Sequence, residues 1–129
     1  MAKDPQDLKY TKDHEWVRVS DSHLVIGVTD HAQESLGDVV YVELPKVGAE
    51  LTSGTSFGTI ESTKAVSELF APVSGKVTKV NDALTDDPSV VNTDPYEAGW
   101  LIEVEPSDRS QLDGLLDVGA YQKHVSDGG

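Results

Sequence analysis

Short runs of β-branched and aromatic residues, separated by polar and turn-forming residues, recur along most of the chain. The first two runs are HEWVRV at 14–19 and HLVIGV at 23–28, and the polar SDS between them predicts a hairpin. Further strands are predicted at 38–44, 55–61, 65–70, 76–80 and 100–104. Many short strands at close spacing are typical of a β-sandwich or a flattened β-barrel.

Helix signals are few and short. Residues 29–36 (TDHAQESL) begin with a capping Thr-Asp pair and are followed by a glycine that can end a helix. Asp108 can cap a helix near the C-terminus, with three leucines on one side, Leu112, Leu115 and Leu116. Residues 81–99 predict a loop with one helical turn near Pro95. The expected fold is therefore mainly β with short helices, including a C-terminal helix.

The length of 129 residues predicts one domain, which we expect to span 1–129 with flexible tails at about 1–9 and 125–129. The chain contains no cysteine. Disulfides, thiolate metal sites and a cysteine nucleophile are therefore excluded for the unmodified chain. Any thiol chemistry has to be supplied by a prosthetic group.

The formal net charge is −13, from 23 acidic and 10 basic residues. This balance argues against nucleic acid and against an anionic membrane as partners, because both are bound through clustered Lys and Arg. Two interpretations of the charge remain open: solubility, or a positively charged partner. No apolar run reaches the length of a membrane span, and MAKDPQDLKY at the N-terminus lacks the features of a signal peptide. We expect a cytoplasmic monomer.

The stretch ESTKAVSEL at 61–69 places one lysine, Lys64, among small and polar residues. Three interpretations are open: a surface charge, a catalytic amine, or an attachment point for a group that the chain lacks. Thr-Lys is a poor two-residue hairpin loop, because such loops favour residues with positive φ. The acidic neighbours Glu61 and Glu68 favour the charged ammonium, whereas a nucleophilic amine has to be neutral. An exposed lysine at a hairpin tip with small neighbours suits a modifying enzyme.

A metal or acid–base cluster of His14, Glu15 and His31 is a further candidate. Adjacent strand residues point to opposite faces, so His14 and Glu15 are expected to separate. No pair of histidines has the i, i+4 spacing of a helical zinc site. We therefore expect no metal site.

Several motifs in order carry a family resemblance. Glu61-Ser62-Thr63-Lys64-Ala65 resembles the lipoyl-lysine hairpin of lipoyl and biotinyl carrier domains, with Gly48 16 residues before the lysine and Gly75 11 residues after it. The chain from about Tyr10 to Val118 resembles the H-proteins of the glycine cleavage system. The segments that carry this resemblance are YTKDHEWVRV, IGVTDHAQESLGDVVYVELP, FGTIESTKAVSEL, APVSGKV and VNTDPYEAGWLIEV.

Other carrier families fit less well. Biotin carriers are expected to have methionines around the lysine, and the only methionine here is Met1. Lipoyl domains of 2-oxo acid dehydrogenases typically have Asp before the lysine, where this chain has Thr63, and they lack the HEW and PYEAGW segments.

The resemblance implies a lipoyl/biotinyl-carrier-like fold and a carrier that has no catalytic residues of its own. Lys64 would carry lipoate in amide linkage. The implied partners are a pyridoxal-phosphate glycine decarboxylase, a tetrahydrofolate-dependent aminomethyltransferase, dihydrolipoyl dehydrogenase and a lipoate-attaching enzyme. The carrier would take the aminomethyl group from the first enzyme to the second, and then electrons to the third.

The resemblance also implies a cleft that holds the loaded arm. It includes the glutamate of the HEW segment, Glu15, and an acidic position four residues after the lysine, Glu68. Asp13 stands where some members have serine and is a further carboxylate near the arm. Carboxylates and the exclusion of water suit an arm that ends in an ammonium group open to hydrolysis.

Two other functions remain open from the sequence. The same carrier fold can act as a lipoate relay that hands the cofactor to other complexes. Alternatively, the chain is an enzyme that uses Lys64 as an amine nucleophile, in which case Lys64→Arg abolishes an activity of the isolated chain.

Overall fold

A computed structural model of the chain describes residues 5–20 and 23–128. Within these residues, nine strands form two antiparallel sheets, one of six strands and one of three. The strands are β1 (Lys9–Tyr10), β2 (Glu15–Val19), β3 (Leu24–Val28), β4 (Val39–Glu43), β5 (Glu50–Leu51), β6 (Ser56–Ser62), β7 (Val66–Phe70), β8 (Gly75–Val80) and β9 (Ile102–Pro106). The six-stranded sheet has the order β1-β2-β3-β9-β8-β5, and the three-stranded sheet has the order β4-β6-β7. The sheets are open, and the mainly-β expectation with short helices is confirmed.

Four short α-helices and one 3₁₀ helix complete the described fold. They are α1 (Asp30–Leu36), α2 (Ala83–Asp86), α3 (Val90–Thr93), the 3₁₀ helix (Arg109–Gly114) and α4 (Val118–Ser126). The expected caps of α1 are confirmed: the Thr29 side chain accepts a hydrogen bond from Ala32 N–H, and Gly37 follows the helix. The first hairpin is also confirmed, with Glu15 opposite Val28 and Val19 opposite Leu24, although the turn residues 21–22 lie outside the described residues.

The C-terminal part of the chain differs from the prediction. Asp108 caps only the 3₁₀ helix, and Leu115 follows that helix in extended conformation. Leu116 pairs with Tyr10 in an isolated β-bridge, so the three leucines do not share one helix face. The α-helix starts later, after Asp117, whose side chain accepts from Ala120 N–H. The 81–99 segment contains α2 and α3, where one turn near Pro95 was expected.

Both ends of the described chain are tied to the fold. Leu8 is 2% exposed, and Lys9 pairs with Val17 at the start of the six-stranded sheet. At the other end, α4 continues to Ser126, and Tyr121 on it is fully buried. Residues 1–4 and 129 of the expected tails lie outside the described residues. Contact with the core thus extends at least to Leu8 at one end and to Tyr121 at the other, and the flexible tails stay a prediction.

The core has two parts on opposite faces of the six-stranded sheet. Alternation along β2 sends Val17 into a large aliphatic cluster between the two sheets and Trp16 into an aromatic cluster. The aromatic cluster contains Leu8, Tyr10, Trp16, Tyr96 and Tyr121. Gly27 lies opposite Trp16, and a Cβ atom there would be 2.4 Å from the indole ring. Only glycine lets the strand approach this side chain so closely.

Candidate functional site

Lys64 is exposed at the tip of the β6–β7 hairpin. The turn is held by Ser62, whose Oγ accepts hydrogen bonds from Lys64 N–H at 3.3 Å and Ala65 N–H at 3.1 Å. Ser62 N–H also donates to Ala65 O at 2.8 Å. Among the described residues other than glycine, only His14 has positive φ. The Thr-Lys pair therefore turns without positive φ, because a serine side chain satisfies the backbone donors of the loop.

The hairpin tip rests on the connection between α1 and β4. Thr63 N–H donates to Asp38 O at 3.0 Å. Gly37 next to it has φ 80° and ψ −157°, which is a conformation essentially restricted to glycine. A Cβ atom at Gly37 would lie 3.5 Å from Lys64 Cε, so the aliphatic stem of the lysine lies over Gly37. The stem therefore begins its path at the C-terminal end of α1.

A cleft of about 370 Å³ lies beside this hairpin, between α1, the segment before β2, and strands β6 and β7. It is lined by Asp13, His14, Glu15, Val28, His31, Ala32, Ser35, Leu36, Ile60, Ser67, Glu68 and Leu69. The lining mixes apolar side chains with carboxylates and imidazoles. The three carboxylates expected from the sequence thus line one cleft, and Lys64 lies outside the lining, on the hairpin that borders the cleft.

Glu15 is the unusual group of the cleft, because it is a carboxyl with only 2% of its surface exposed. One oxygen, Oε2, accepts a hydrogen bond from Phe70 N–H at 2.7 Å. The other, Oε1, is buried and has no partner among the residues that the structure describes. The pKa of Glu15 is raised from 4.5 to about 8. Burial is the main cause, the hydrogen bond from Phe70 N–H opposes it, and the negative charge of Asp13 adds to it. Glu15 is therefore mostly protonated at neutral pH while no cation is near.

Glu68 and Asp13 differ from Glu15 in that both are exposed. Glu68 pairs with Thr59, whereas its neighbour Ser67 pairs with the buried Ile60. Paired residues share a face of the sheet, so alternation along β7 directs Glu68 away from the face of Ser67. Glu68 thus belongs to the rim of the cleft, and Glu15 to its interior.

His14 lies at the floor of the cleft in a left-handed backbone conformation, with φ 66°. β2 begins only at Glu15, and both residues line the cleft. The expectation that the two side chains separate to opposite faces is therefore wrong, because His14 is outside the regular strand. The His14 ring lies 4.5 Å from the His31 ring between centroids, and His14 Nδ1 lies 2.8 Å from the Tyr121 hydroxyl. No sequence signal near the hairpin pointed to Tyr121, which is 107 residues from His14.

Within residues 5–20 and 23–128, no group of three or more His, Asp or Glu side chains is arranged to hold a metal ion. The helices in the same part of the chain are too short and too polar to cross a bilayer.

Residues 8–128 match the family model of the glycine cleavage H-protein. The chain belongs to this family. It is 68% identical over 117 residues to the glycine cleavage system H protein of Myxococcus xanthus, which covers 91% of each chain. It is 52% identical over 130 residues to that of Halorhodospira halophila, which covers 100% of each. The crystal structure of a glycine cleavage system H protein from Mycobacterium marinum superposes with a TM-score of 0.87 at 42% identity and covers 95% of this chain and 98% of that one.

By its family, the chain is a carrier subunit of the glycine cleavage system. The residues present fit a group attached to Lys64. The lysine is exposed, and its neighbours at the tip, Thr63 and Ala65, are small. The adjacent cleft contains a buried carboxyl oxygen that has no partner in the part of the chain that the structure describes. An orphaned buried polar atom of this kind has a free-energy cost that a donor entering the cleft would remove.

Proposed function

We propose that this H-protein is a lipoylated carrier, with Lys64 as the attachment residue. The observation that carries the proposal is that three structural features lie next to one another. They are an exposed lysine on a rigid hairpin, a lysine stem that lies over Gly37, and a cleft next to it that contains the unpartnered Oε1 of Glu15. Lipoate would supply the disulfide and dithiol chemistry, since the chain has no cysteine.

The carrier would serve three enzymes in turn, as the family resemblance implies. It would receive an aminomethyl group at the pyridoxal-phosphate glycine decarboxylase and deliver it to the tetrahydrofolate-dependent aminomethyltransferase. Dihydrolipoyl dehydrogenase would then reoxidise the dithiol. A separate enzyme would attach lipoate to Lys64. A monomeric state, a single domain and a cytoplasmic location stay predictions.

Between enzymes, the cleft would shelter the loaded arm from water. Glu15 would accept a hydrogen bond from the ammonium end of the arm, and the proton that it carries at neutral pH would be displaced by that charge. Apolar residues of the cleft, Val28, Leu36 and Ile60, would exclude water from the carbon that water attacks. Asp13 and Glu68, at the exposed rim, would contribute negative charge that draws the ammonium inward.

A lipoate relay would use the same hairpin, and only an assay of lipoyl transfer to other complexes distinguishes it from a shuttle. An amine nucleophile at Lys64 is not favoured, because the side chain is exposed and lies outside the cleft lining.

The test is the intact mass of the protein from its own cells, followed by peptide mapping across residues 57–76. One lipoyl amide on Lys64, absent from a Lys64→Arg variant, would support the carrier. An unmodified Lys64 in cells with active lipoate-attaching enzymes would contradict it. A lipoylated protein that fails to support glycine decarboxylation with the partner enzymes but donates lipoate elsewhere would replace the shuttle with the relay.

A further inference from the structure

The Tyr121 hydroxyl lies between two segments that border the cleft, and it is far in sequence from both. It lies 2.8 Å from His14 Nδ1 and 2.7 Å from Thr29 Oγ1. Tyr121 is on α4, near the C-terminus, and its ring is fully buried and stacks on Tyr10 at 4.7 Å between centroids. Packing in the aromatic cluster therefore fixes the position of the ring, and with it the position of the hydroxyl.

On one side, the hydroxyl meets a backbone conformation that needs support. His14 is in the left-handed region, which costs a residue with a Cβ atom free energy and persists only where surrounding contacts determine it. Its carbonyl oxygen accepts from Thr29 N–H at 3.0 Å, and its N–H donates to Thr11 O at 3.2 Å. The next residue is Glu15, so the backbone angle at His14 determines where the buried carboxyl enters the cleft.

On the other side, the hydroxyl meets the start of α1. Thr29 caps this helix by accepting from Ala32 N–H at 3.2 Å. The side chains of Ala32, Ser35 and Leu36 on α1 form one wall of the cleft. A hydroxyl bound to both His14 and Thr29 therefore links the segment that carries Glu15 to the wall that faces it.

We infer that Tyr121 is a positioning residue of the arm cleft: its hydroxyl holds the His14–Glu15 segment against the N-terminus of α1 and so keeps the Glu15 carboxyl in a dry position. The inference rests on the arm cleft of the proposed function. The hydrogen bonds can be satisfied in either direction, because a hydroxyl has one donor and two acceptor positions and neutral imidazole offers one donor and one acceptor nitrogen. A residue near the C-terminus would thus determine the chemistry of a cleft that is lined by residues between positions 13 and 69.

The experiment compares Tyr121→Phe with Tyr10→Phe. Both variants remove one hydroxyl from the same stacked pair of buried rings, but the Tyr10 hydroxyl donates to Pro5 O, whereas the Tyr121 hydroxyl lies within hydrogen-bond distance of His14 and Thr29. The first measurement is the titration of the Glu15 side-chain carboxyl by ¹³C NMR in the protein without lipoate. We expect the midpoint to stay at the wild-type value in Tyr10→Phe and to fall by about one pH unit in Tyr121→Phe, since water would then reach the carboxyl. Equal midpoints in the two variants would overturn the inference.

The second measurement is the hydrolysis rate of the loaded arm in the lipoylated protein, followed by release of ammonia. We expect hydrolysis to be about three- to tenfold faster in Tyr121→Phe than in Tyr10→Phe, because this variant loses the hydrogen bonds to His14 and Thr29 that position the segment. If the wild-type arm hydrolyses as fast as an aminomethylated free lipoamide, the sheltering function fails. The Glu15 titration, which needs no arm, then still decides the role of Tyr121.

If Tyr121→Phe does not fold, a third measurement, made on the wild-type protein, tests the same hydrogen bond. Long-range ¹H–¹⁵N NMR of the wild-type protein reports the tautomer of each imidazole. A hydrogen bond at His14 Nδ1 holds one tautomer, and that result supports the inference. Ring nitrogen shifts of a freely averaging imidazole at His14 would overturn it.

Discussion

At the scale of single residues, the protonation of Glu15 is the property with the widest consequences. A buried carboxyl is stable when neutral and costly when charged, and here one of its oxygens has no partner among the described residues. Under the proposed function, the feature that destabilises the charged form favours a cation in the cleft, because an entering ammonium would remove this cost. The fold is therefore more stable with Glu15 neutral, whereas binding of an ammonium group would require Glu15 to be charged.

The raised pKa of Glu15 predicts how the stability of the fold depends on pH. The pKa of Glu15 is raised in the folded protein to about 8 from 4.5. Its neutral form therefore stabilises the fold fully below pH 4.5, and this contribution is lost as pH rises through about 8. We expect the free energy of unfolding of the wild type to fall by about 4–5 kcal/mol more than that of Glu15→Gln over this range. Urea unfolding at several pH values measures it, with Glu68→Gln as the exposed control; parallel curves for wild type and Glu15→Gln would contradict the expectation.

The two glutamates of the cleft should also differ in how they protect the loaded arm. We expect Glu15→Gln to accelerate hydrolysis of the arm about tenfold, because a charge-assisted hydrogen bond in a dry site is lost. The exposed Glu68 should contribute less than about twofold, as a solvated charge does. Hydrolysis rates of the two single variants and the double variant test this. No change in the double variant would rule out both carboxylates as arm contacts.

At the scale of elements, the β6–β7 hairpin and the end of α1 act as one support for Lys64. Thr63 N–H reaches Asp38 O, and the lysine stem lies over Gly37. Asn92 on α3 reinforces this connection: its amide donates to Gly37 O at 2.8 Å and to Gln33 Oε1 at 3.0 Å, and its oxygen accepts from Val39 N–H at 2.8 Å. A segment predicted as loop thus holds the turn on which the lysine rests.

Gly37→Ala tests this support. The backbone at Gly37, with φ 80° and ψ −157°, excludes side chains, so we expect a loss of about 1–3 kcal/mol of stability. We also expect slower attachment of lipoate to Lys64, because the platform below its stem shifts. Gly114→Ala is the matched control, since a Cβ atom there meets nothing within 4 Å and Gly114 does not have positive φ. Thermal unfolding and timed mass spectrometry of lipoylation measure the two effects; equal behaviour of the variants would refute the role of Gly37.

At the scale of the whole molecule, the net charge of −13 acts on every encounter. Under the proposed function, the carrier meets several partners in turn, and fast association then matters more than tight binding. Long-range attraction to basic partner surfaces increases the association rate and is screened by salt. Part of this charge lies on the three-stranded sheet that carries Lys64, with Glu61 near the hairpin tip and Glu43 and Glu68 paired with Thr59 farther along β6.

The salt dependence of the glycine decarboxylase reaction tests this interpretation. We expect the KM for the lipoylated protein to rise roughly tenfold between about 50 and 500 mM salt, while kcat changes little. Free lipoamide, which is neutral, is the control substrate and should show no such rise. A KM that is independent of salt would leave solubility as the role of the charge.

The pattern of the chain alone determined most of the strands, α1 with its caps, and the lysine at a hairpin tip, because these depend on local alternation, capping and turn chemistry. It also brought out Glu15 and Glu68 through the family resemblance. The leucines at 112–116 show where local reasoning ends. Their spacing suits a helix, but Leu116 pairs with Tyr10 in an extended bridge, and that competing contact is 106 positions away.

Only the tertiary structure decided which of the acidic residues is buried, and why. Glu15 and Glu68 are the same residue type, and the sequence does not tell them apart. In the fold, Glu15 is buried and accepts a hydrogen bond from Phe70 N–H, whereas Glu68 pairs with Thr59 and lies at the exposed rim. The Tyr121 hydroxyl lies between His14 and Thr29 for the same reason. Burial and long-range hydrogen bonds depend on how distant segments pack, and local sequence patterns do not encode that packing.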